Sequence, residues 1–348
     1  MAELPAIFTQ PGRLRQGFVE GLERMLASHE GLGVFILVLA NATYDEAIHR
    51  RLGSVLEARF ERLSRTMRDA LRAGRQLADA PDDVDVFLKL MALGLQELPP
   101  TRFRDAGHFQ LQFNLLRALR PPRMAGTRVE QVFLPFDPQG FHFNRPFLMK
   151  ELLWEGRLLE RDCRLFYNKF PFAHLHGLLV IEPDANTSQF LSEDDHRLVW
   201  ELCEQSAKTL PGLGFGYNSY GAYASVNHQH FQMFHHPADG YPVEAGHWAH
   251  NGGQTLYPVA CRRDSDRQAA WEGISQLQEG NRAFNLLYRP GCVYVLPRRF
   301  QGEYEHSAWT SGFAWSELCG SLTTFNQKDF EQLNERAVSA EMARLALT

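Results

Sequence analysis

Pro99-Pro100 divides the chain into two textures, and that division constrains the fold more than any other sequence feature. Upstream, Glu46 to Ala73 is rich in Arg, Leu, Glu and Ala. Ile48, Leu52, Val55, Leu56, Phe60, Leu63, Met67 and Leu71 recur there at helical spacing. Asp79-Ala-Pro-Asp-Asp83 breaks the pattern and Val84 to Leu95 resumes it, so the chain reads as mostly helical from about residue 12 to residue 97. The basic residues on these helices read as a solvated face. One segment departs from the pattern. Leu32 to Ala40 is apolar throughout, too short to cross a bilayer as a helix, and reads as a buried strand.

Downstream the signals are those of short strands and turns. Val129-Glu-Gln-Val-Phe-Leu-Pro-Phe136 ends at the turn signal Asp137-Pro-Gln-Gly140. Arg164 to Tyr167 and Leu178 to Ile181 are apolar runs of strand type. Ser192 and Asp195 stand at capping-box spacing before a helix over His196 to Leu210. Asn285 to Tyr288 and Cys292 to Leu296 flank Arg289-Pro-Gly291 as a hairpin, and a last helix is expected from about Phe325 to Leu345. Strands interspersed with long helices indicate an α+β protein.

Composition removes several function classes. The formal net charge of -5 argues against a general nucleic-acid surface, which needs a basic excess. Cys163, Cys203, Cys261, Cys292 and Cys319 are scattered, with no C-x-x-C pair and no zinc-ribbon spacing. Such usage fits buried thiols in a reducing compartment. The first residues lack the layout of a signal peptide, and no run is long enough for a membrane span, so a cytoplasmic protein is expected.

The chemistry concentrates in Asn227-His-Gln-His-Phe-Gln232. On a strand, alternate side chains share a face, so His228, His230 and Gln232 stand together while Gln229, Phe231 and Met233 point away. Spacing alone leaves three readings open: a polar patch satisfied by neighbours, a metal site, and an imidazole nucleophile. For the metal site, His235, His236 or Glu244 would supply the third ligand. Gln232 tilts the choice, because an amide is a poor zinc ligand and a good donor to a phosphate oxygen. The preceding Asn218-Ser-Tyr-Gly-Ala-Tyr-Ala-Ser225 offers small residues and close backbone approach, as phosphate-wrapping loops do.

His228-Gln-His230-Phe-Gln232 resembles the H-x-H-x-Q signature of the transferase branch of the histidine triad superfamily, the branch of galactose-1-phosphate uridylyltransferase. Ordered blocks extend the likeness towards the GDP-L-galactose and GDP-D-glucose phosphorylases. They are Val129 to Asp137, Phe166 to Pro171 leading to His176 to Pro183, Asn218 to Gln232, Pro242 to Glu244, Asn285 to Leu287, and Tyr294 to Pro297. The resemblance covers about residues 108 to 345 and leaves the helical first hundred unmatched. It implies two histidine-triad-like antiparallel-sheet lobes with a helical N-terminal addition: residues 1–107, a catalytic lobe over 108–240 and a second lobe over 241–348.

It also implies roles. His230 would attack the α-phosphorus of a nucleoside diphosphate sugar and become nucleotidylated. His228 would orient and polarise the site, and Gln232 would hold the phosphate. Ser225 falls at a phosphate-binding serine, Asn168 at a ribose-holding position, and His176 before the next core strand. Asn218 belongs to the phosphate-wrapping stretch, and Arg298 is a candidate to meet the acceptor phosphate. The expected partners are a nucleoside diphosphate sugar and phosphate, with no cofactor, no metal, no nucleic acid and no membrane. A homodimer is compatible with this reading. The base and the sugar stay open, as do a dinucleoside polyphosphate donor, a hexose-1-phosphate acceptor and a silent nucleotide-binding protein.

Overall fold

The computed structural model of the chain describes residues 4–120, 128–236 and 240–347. Four helices build the N-terminal region: Pro11–Ser28, Leu32–Tyr44, Glu46–Arg72 and Pro81–Leu93. The longest of them starts at Asp45, whose carboxylate accepts from the Ala47 and Ile48 N–H groups. It buries Ile48, Leu52, Leu56 and Met67 on one face.

Leu32–Tyr44 corrects the sequence reading, because it is a helix and not a strand. All thirteen of its residues are buried. An apolar run this short has no polar face to set a period, so helix and strand cannot be told apart from it. Its environment decides. Phe35 meets Phe87 and Phe60 of neighbouring helices, at ring distances of 5.7 and 6.2 Å. Neighbours all round leave a helix no need of a polar stripe.

The rest of the described residues supply eleven strands. They are β1 (Arg102–Ala106), β2 (Phe109–Phe113), β3 (Leu152–Leu158), β4 (Arg161–Tyr167), β5 (Gly177–Ile181), β6 (Leu213–Asn218), β7 (Phe231–His235), β8 (Arg262–Asp264), β9 (Ala283–Arg289), β10 (Cys292–Arg298) and β11 (Ser321–Thr324). Eight form one antiparallel sheet in the order β3-β4-β5-β7-β6-β9-β10-β8. The five strands from 152–235 and the three from 262–298 join where β6 pairs with β9. The small sheet β1-β2-β11 lies apart, with β11 parallel to β2.

Strand alternation gives the large sheet two unlike faces. Leu179, Phe215, Tyr217, Phe231, Met233, Leu286 and Tyr288 turn to one core, shared with the N-terminal helices and with helices Glu193–Ser206 and Arg267–Glu279. Ser192 caps the first of these through the Asp195 N–H, as the spacing predicted. Phe234, Leu287, Tyr294 and Leu296 turn to a second core with Trp315, the small sheet and the C-terminal helices. The expected last helix is two, Gln327–Gln332 and Glu335–Ala343. Asn334 interrupts it by accepting from the Ala337 N–H as a new N-cap.

Candidate active site

The histidine motif sits where the chain enters β7 on the second face. Phe231 opens the strand, so His228 and His230 lie in its lead-in and only Gln232 is a strand residue. The expectation of one continuous strand is corrected to that extent. Gln189, fully buried, does the work of a strand partner there. Its Oε1 accepts from the His230 N–H (2.9 Å), while its amide donates to the Asn218 (2.9 Å) and His230 (3.2 Å) carbonyls. The alternation of side chains survives, with Phe231 and Met233 in the helix-side core.

His230 has a single arrangement that satisfies its ring. Nδ1 lies 2.8 Å from the His228 carbonyl, an acceptor, so Nδ1 carries the proton and donates. Nε2 is left with a bare lone pair, and no described residue hydrogen-bonds it. Burial lowers the pKa of His230 to about 4, which keeps the ring neutral at physiological pH. A neutral imidazole with a free lone pair is a nucleophile.

His228 is held in the opposite sense. Its Nδ1 accepts from the Phe143 N–H (3.1 Å), so its proton is on Nε2. Burial, then His230 and His142, lower its pKa to about 4. The Phe143 ring covers both imidazoles, at 5.6 Å from His228 and 5.1 Å from His230. Phe143 comes from the irregular segment after Gly140, which therefore roofs the motif.

Gln232 is oriented by its neighbours. The Trp315 indole Nε1–H donates to Oε1 at 2.9 Å, and His176 Nε2 lies 3.2 Å from the same oxygen. An indole N–H is a donor only, so Oε1 is assigned by its partner. The Gln232 amide nitrogen hydrogen-bonds none of the described residues and is left as a donor for a ligand.

Asn168 and Asn218 join this constellation. Asn168 Oδ1 accepts from the Phe170 N–H (3.0 Å) and its amide nitrogen lies 3.3 Å from His176 Nε2. Asn218 Oδ1 accepts from Asn285 (2.6 Å) and from the Trp315 backbone N–H (2.9 Å), so it holds the turn that carries the indole. Gly216 makes room for that indole, since a Cβ there would stand 2.2 Å from the ring.

Ser225 and Arg298 stand differently. Ser225 is exposed and hydrogen-bonds no described residue. Arg298 is fully buried, with its guanidinium over the Tyr223 ring (5.0 Å) and donating to the Phe313 and Arg299 carbonyls. That geometry makes it a brace for the Phe313–Trp315 turn. Glu244 is drawn into an ion pair with Arg289 (2.9 Å), and His235 Nε2 is bound to the Pro211 carbonyl.

Comparison with known proteins supplies the family. The model of the GDPGP1-like N-terminal domain matches residues 100–234, which hold Asn168, His176 and the whole motif. GDP-D-glucose phosphorylase 1 of Danio rerio is 36% identical over 274 residues, covering 70% of this chain and 78% of that protein. The chain belongs to this GDPGP1-like family. The Homo sapiens GDP-D-glucose phosphorylase 1 is 34% identical over 159 residues, 43% of this chain and 40% of its own. Among solved structures, the yeast Ap4A phosphorylase Apa2 shares the fold, with a TM-score of 0.51 at 14% identity over 78% of this chain and 97% of that one. The expected α+β fold with a helical N-terminal region therefore stands, and it is a fold shared with that phosphorylase.

Within this site, sequence reasoning missed Gln189, Phe143 and the contribution of Trp315. Trp315 is buried, and its indole N–H fixes Gln232. No local pattern marks any of the three, because each reaches the motif from a distant segment.

Proposed function

We propose that this chain is a nucleotidyltransferase that phosphorolyses a nucleoside diphosphate hexose, with a GDP-hexose as donor. The observation that carries the reading is the pairing of a lone-pair Nε2 on His230 with an unengaged amide donor on Gln232. The names of its relatives support the guanine base and the hexose.

In the first step the His230 Nε2 lone pair forms a bond to the α-phosphorus. The bridging Pα–O bond breaks, and the sugar 1-phosphate leaves with the electron pair. In the second step an oxygen of inorganic phosphate attacks the same phosphorus, the N–P bond breaks, and GDP is released with His230 neutral again. The His228 carbonyl accepts from His230 Nδ1–H and so orients that ring, and the Nε2–H of His228 adds to the polar wall. The Gln232 amide holds a non-bridging oxygen, and Asn168 presents its amide to the ribose. A glutamine in this place supplies no proton to the leaving group, which favours transfer over hydrolysis. Positioning and neutralisation of charge supply the acceleration, as in other phosphoryl chemistry.

The reading needs no cofactor. The free cysteines and the negative net charge support action in the cytoplasm on a small substrate. Among the described residues no helix is long and apolar enough to cross a membrane. The halves 108–240 and 241–348 form paired lobes in this reading, behind a mainly helical region over 1–107 that ends in β1.

The test is covalent labelling. GDP-glucose labelled in the α-phosphate is expected to leave acid-labile, base-stable label on the wild type and none on His230→Ala. Absence of label from GDP, UDP and ADP sugars alike would overturn the reading.

A further inference from the structure

Gln232 works as a donor only if its amide is turned one way, and several groups outside the motif set that turn. Trp315 Nε1–H and His176 both meet Oε1. His176 can donate from Nε2 only if its single proton sits there. That choice is made by the Phe172 backbone N–H, which lies 3.3 Å from Nδ1 and must find a lone pair, and it leaves the Asn168 amide, 3.3 Å from the same Nε2, unbonded to the ring and turned to a ligand. The Phe172 ring touches both donors, at 4.4 Å from the His176 ring and 5.8 Å from that of Trp315. Phe172 is thus the common support of the two N–H groups that hold Gln232.

Arg117 is what holds Phe172. It sits on the short helix Leu115–Ala118, whose N-cap Asn114 accepts from its backbone N–H at 3.0 Å. Its Nη1 donates to the Phe170 carbonyl at 2.6 Å, and its guanidinium lies 4.6 Å from the centre of the Phe172 ring. No carboxylate of the described residues forms an ion pair with it, and its Nε is buried without a partner. Burial lowers its pKa even though Glu317 acts on it electrostatically, without a direct ion pair, so a cation held against an aromatic face and a backbone carbonyl is costly to keep for stability alone. It also disfavours a second proton on the buried His176, whose pKa burial and then Arg117 lower to about 3.

We propose that Arg117 is a positioning residue that, through Phe172, fixes His176 and Trp315 so that Gln232 presents its amide nitrogen to the transferred phosphate. The inference rests on the phosphorolysis reading for its kinetic consequence, while the orientation of the amide can be read without any substrate. The test compares wild type, Arg117→Met and Arg117→Lys by steady-state kinetics with GDP-glucose and phosphate. It also follows the His176 ring nitrogens and the Trp315 indole N–H by ¹⁵N-resolved NMR. His176→Gln and Trp315→Phe assign the signals.

Wild type is expected to show a single Nε2–H tautomer and a hydrogen-bonded indole. Arg117→Met is expected to shift both signals and lower kcat about tenfold or more with KM changed less than about threefold, since misplacing a transition-state donor costs that much. Arg117→Lys is expected to recover part of both. Phe172→Leu, which keeps an apolar side chain, is expected to reproduce the Met variant and serves where that variant melts early. Wild-type signals and kcat in Arg117→Met or Phe172→Leu would overturn the inference. A wild type without phosphorolysis would overturn the functional reading instead, leaving the NMR result to judge the positioning.

Discussion

At the scale of single residues, the site is built from groups whose protons have one place to go. His230 Nδ1–H meets a carbonyl, His228 Nδ1 meets an N–H, and Gln232 Oε1 meets an indole. The three motif residues thereby present a free lone pair, a fixed neighbour and an unengaged donor, which is what the proposed attack by His230 uses. Exchanging the last of these for an acceptor tests the assignment. In Gln232→Glu, a carboxylate oxygen would still accept from Trp315 and His176, so the fold should hold and the melting temperature stay close to wild type. The phosphate would then face a negative oxygen where a donor stood. Loss of one such donor costs on the order of 10²–10³ in kcat, and repulsion adds to it. Measured for both half-reactions, an unchanged rate of His230 labelling would show that Gln232 does not contact the phosphate. The motif was legible in the sequence because its spacing carries the chemistry. Its supports were not, since Trp315, Gln189 and Arg117 lie 83, 41 and 115 residues from the residues they serve or act through.

Among elements, the helix Leu32–Tyr44 has the widest consequences. Its sequence told of burial but not of conformation, because a run without polar positions fits any element surrounded by apolar partners. Burial on all sides leaves few polar side chains, Asn41, Thr43 and Tyr44, and Asn41 reaches beyond the helix. Its amide donates to the Leu37 carbonyl (2.9 Å) within the helix and to the Asn168 carbonyl (3.0 Å) beyond it. Lys169 reaches the same region from the other side, paired with Asp83 at 2.5 Å. Tyr167 completes the attachment through the Phe18 carbonyl (2.7 Å). The helical region, which the motif resemblance left unmatched, thus grips the segment that carries Asn168 and leads to His176. Asn41→Leu keeps the volume and removes the donor, leaving a buried carbonyl short of a partner. A loss of about 1–3 kcal/mol in urea unfolding is expected. KM for the sugar nucleotide should rise with it, because Asn168 moves with its own carbonyl. A variant of unchanged stability and KM would detach the helical region from the site.

Across the whole molecule, one sheet separates two kinds of interior. Helices cover one face with an apolar core, and the other face carries the imidazoles, amides and aromatic roof of the site. Keeping polar rings buried and neutral has a consequence for stability. His176 is lowered to about 3, and His196, His228 and His230 to about 4, by burial in each case, against 6.5 in the unfolded chain. Between about pH 6.5 and pH 4 the unfolded state therefore binds protons that the folded state refuses. Stability rises with pH wherever the unfolded state binds more protons, so their contribution is whole above 6.5 and drains away as pH falls towards 4. His196 isolates the effect, because it lies on helix Glu193–Ser206 away from the motif. Its Nε2–H donates to the Arg267 carbonyl (3.1 Å) and its Nδ1 accepts from the Tyr288 hydroxyl (2.8 Å). His196→Gln retains a side chain with a donor and an acceptor but cannot titrate. Urea unfolding at intervals from pH 5 to pH 6.5 should give a slope of stability on pH smaller than wild type by nearly one proton, about 1.4 kcal/mol per pH unit at most. Equal slopes would mean that His196 titrates alike in both states, and the neutral interior inferred for the imidazoles of this sheet would have to be abandoned at that position.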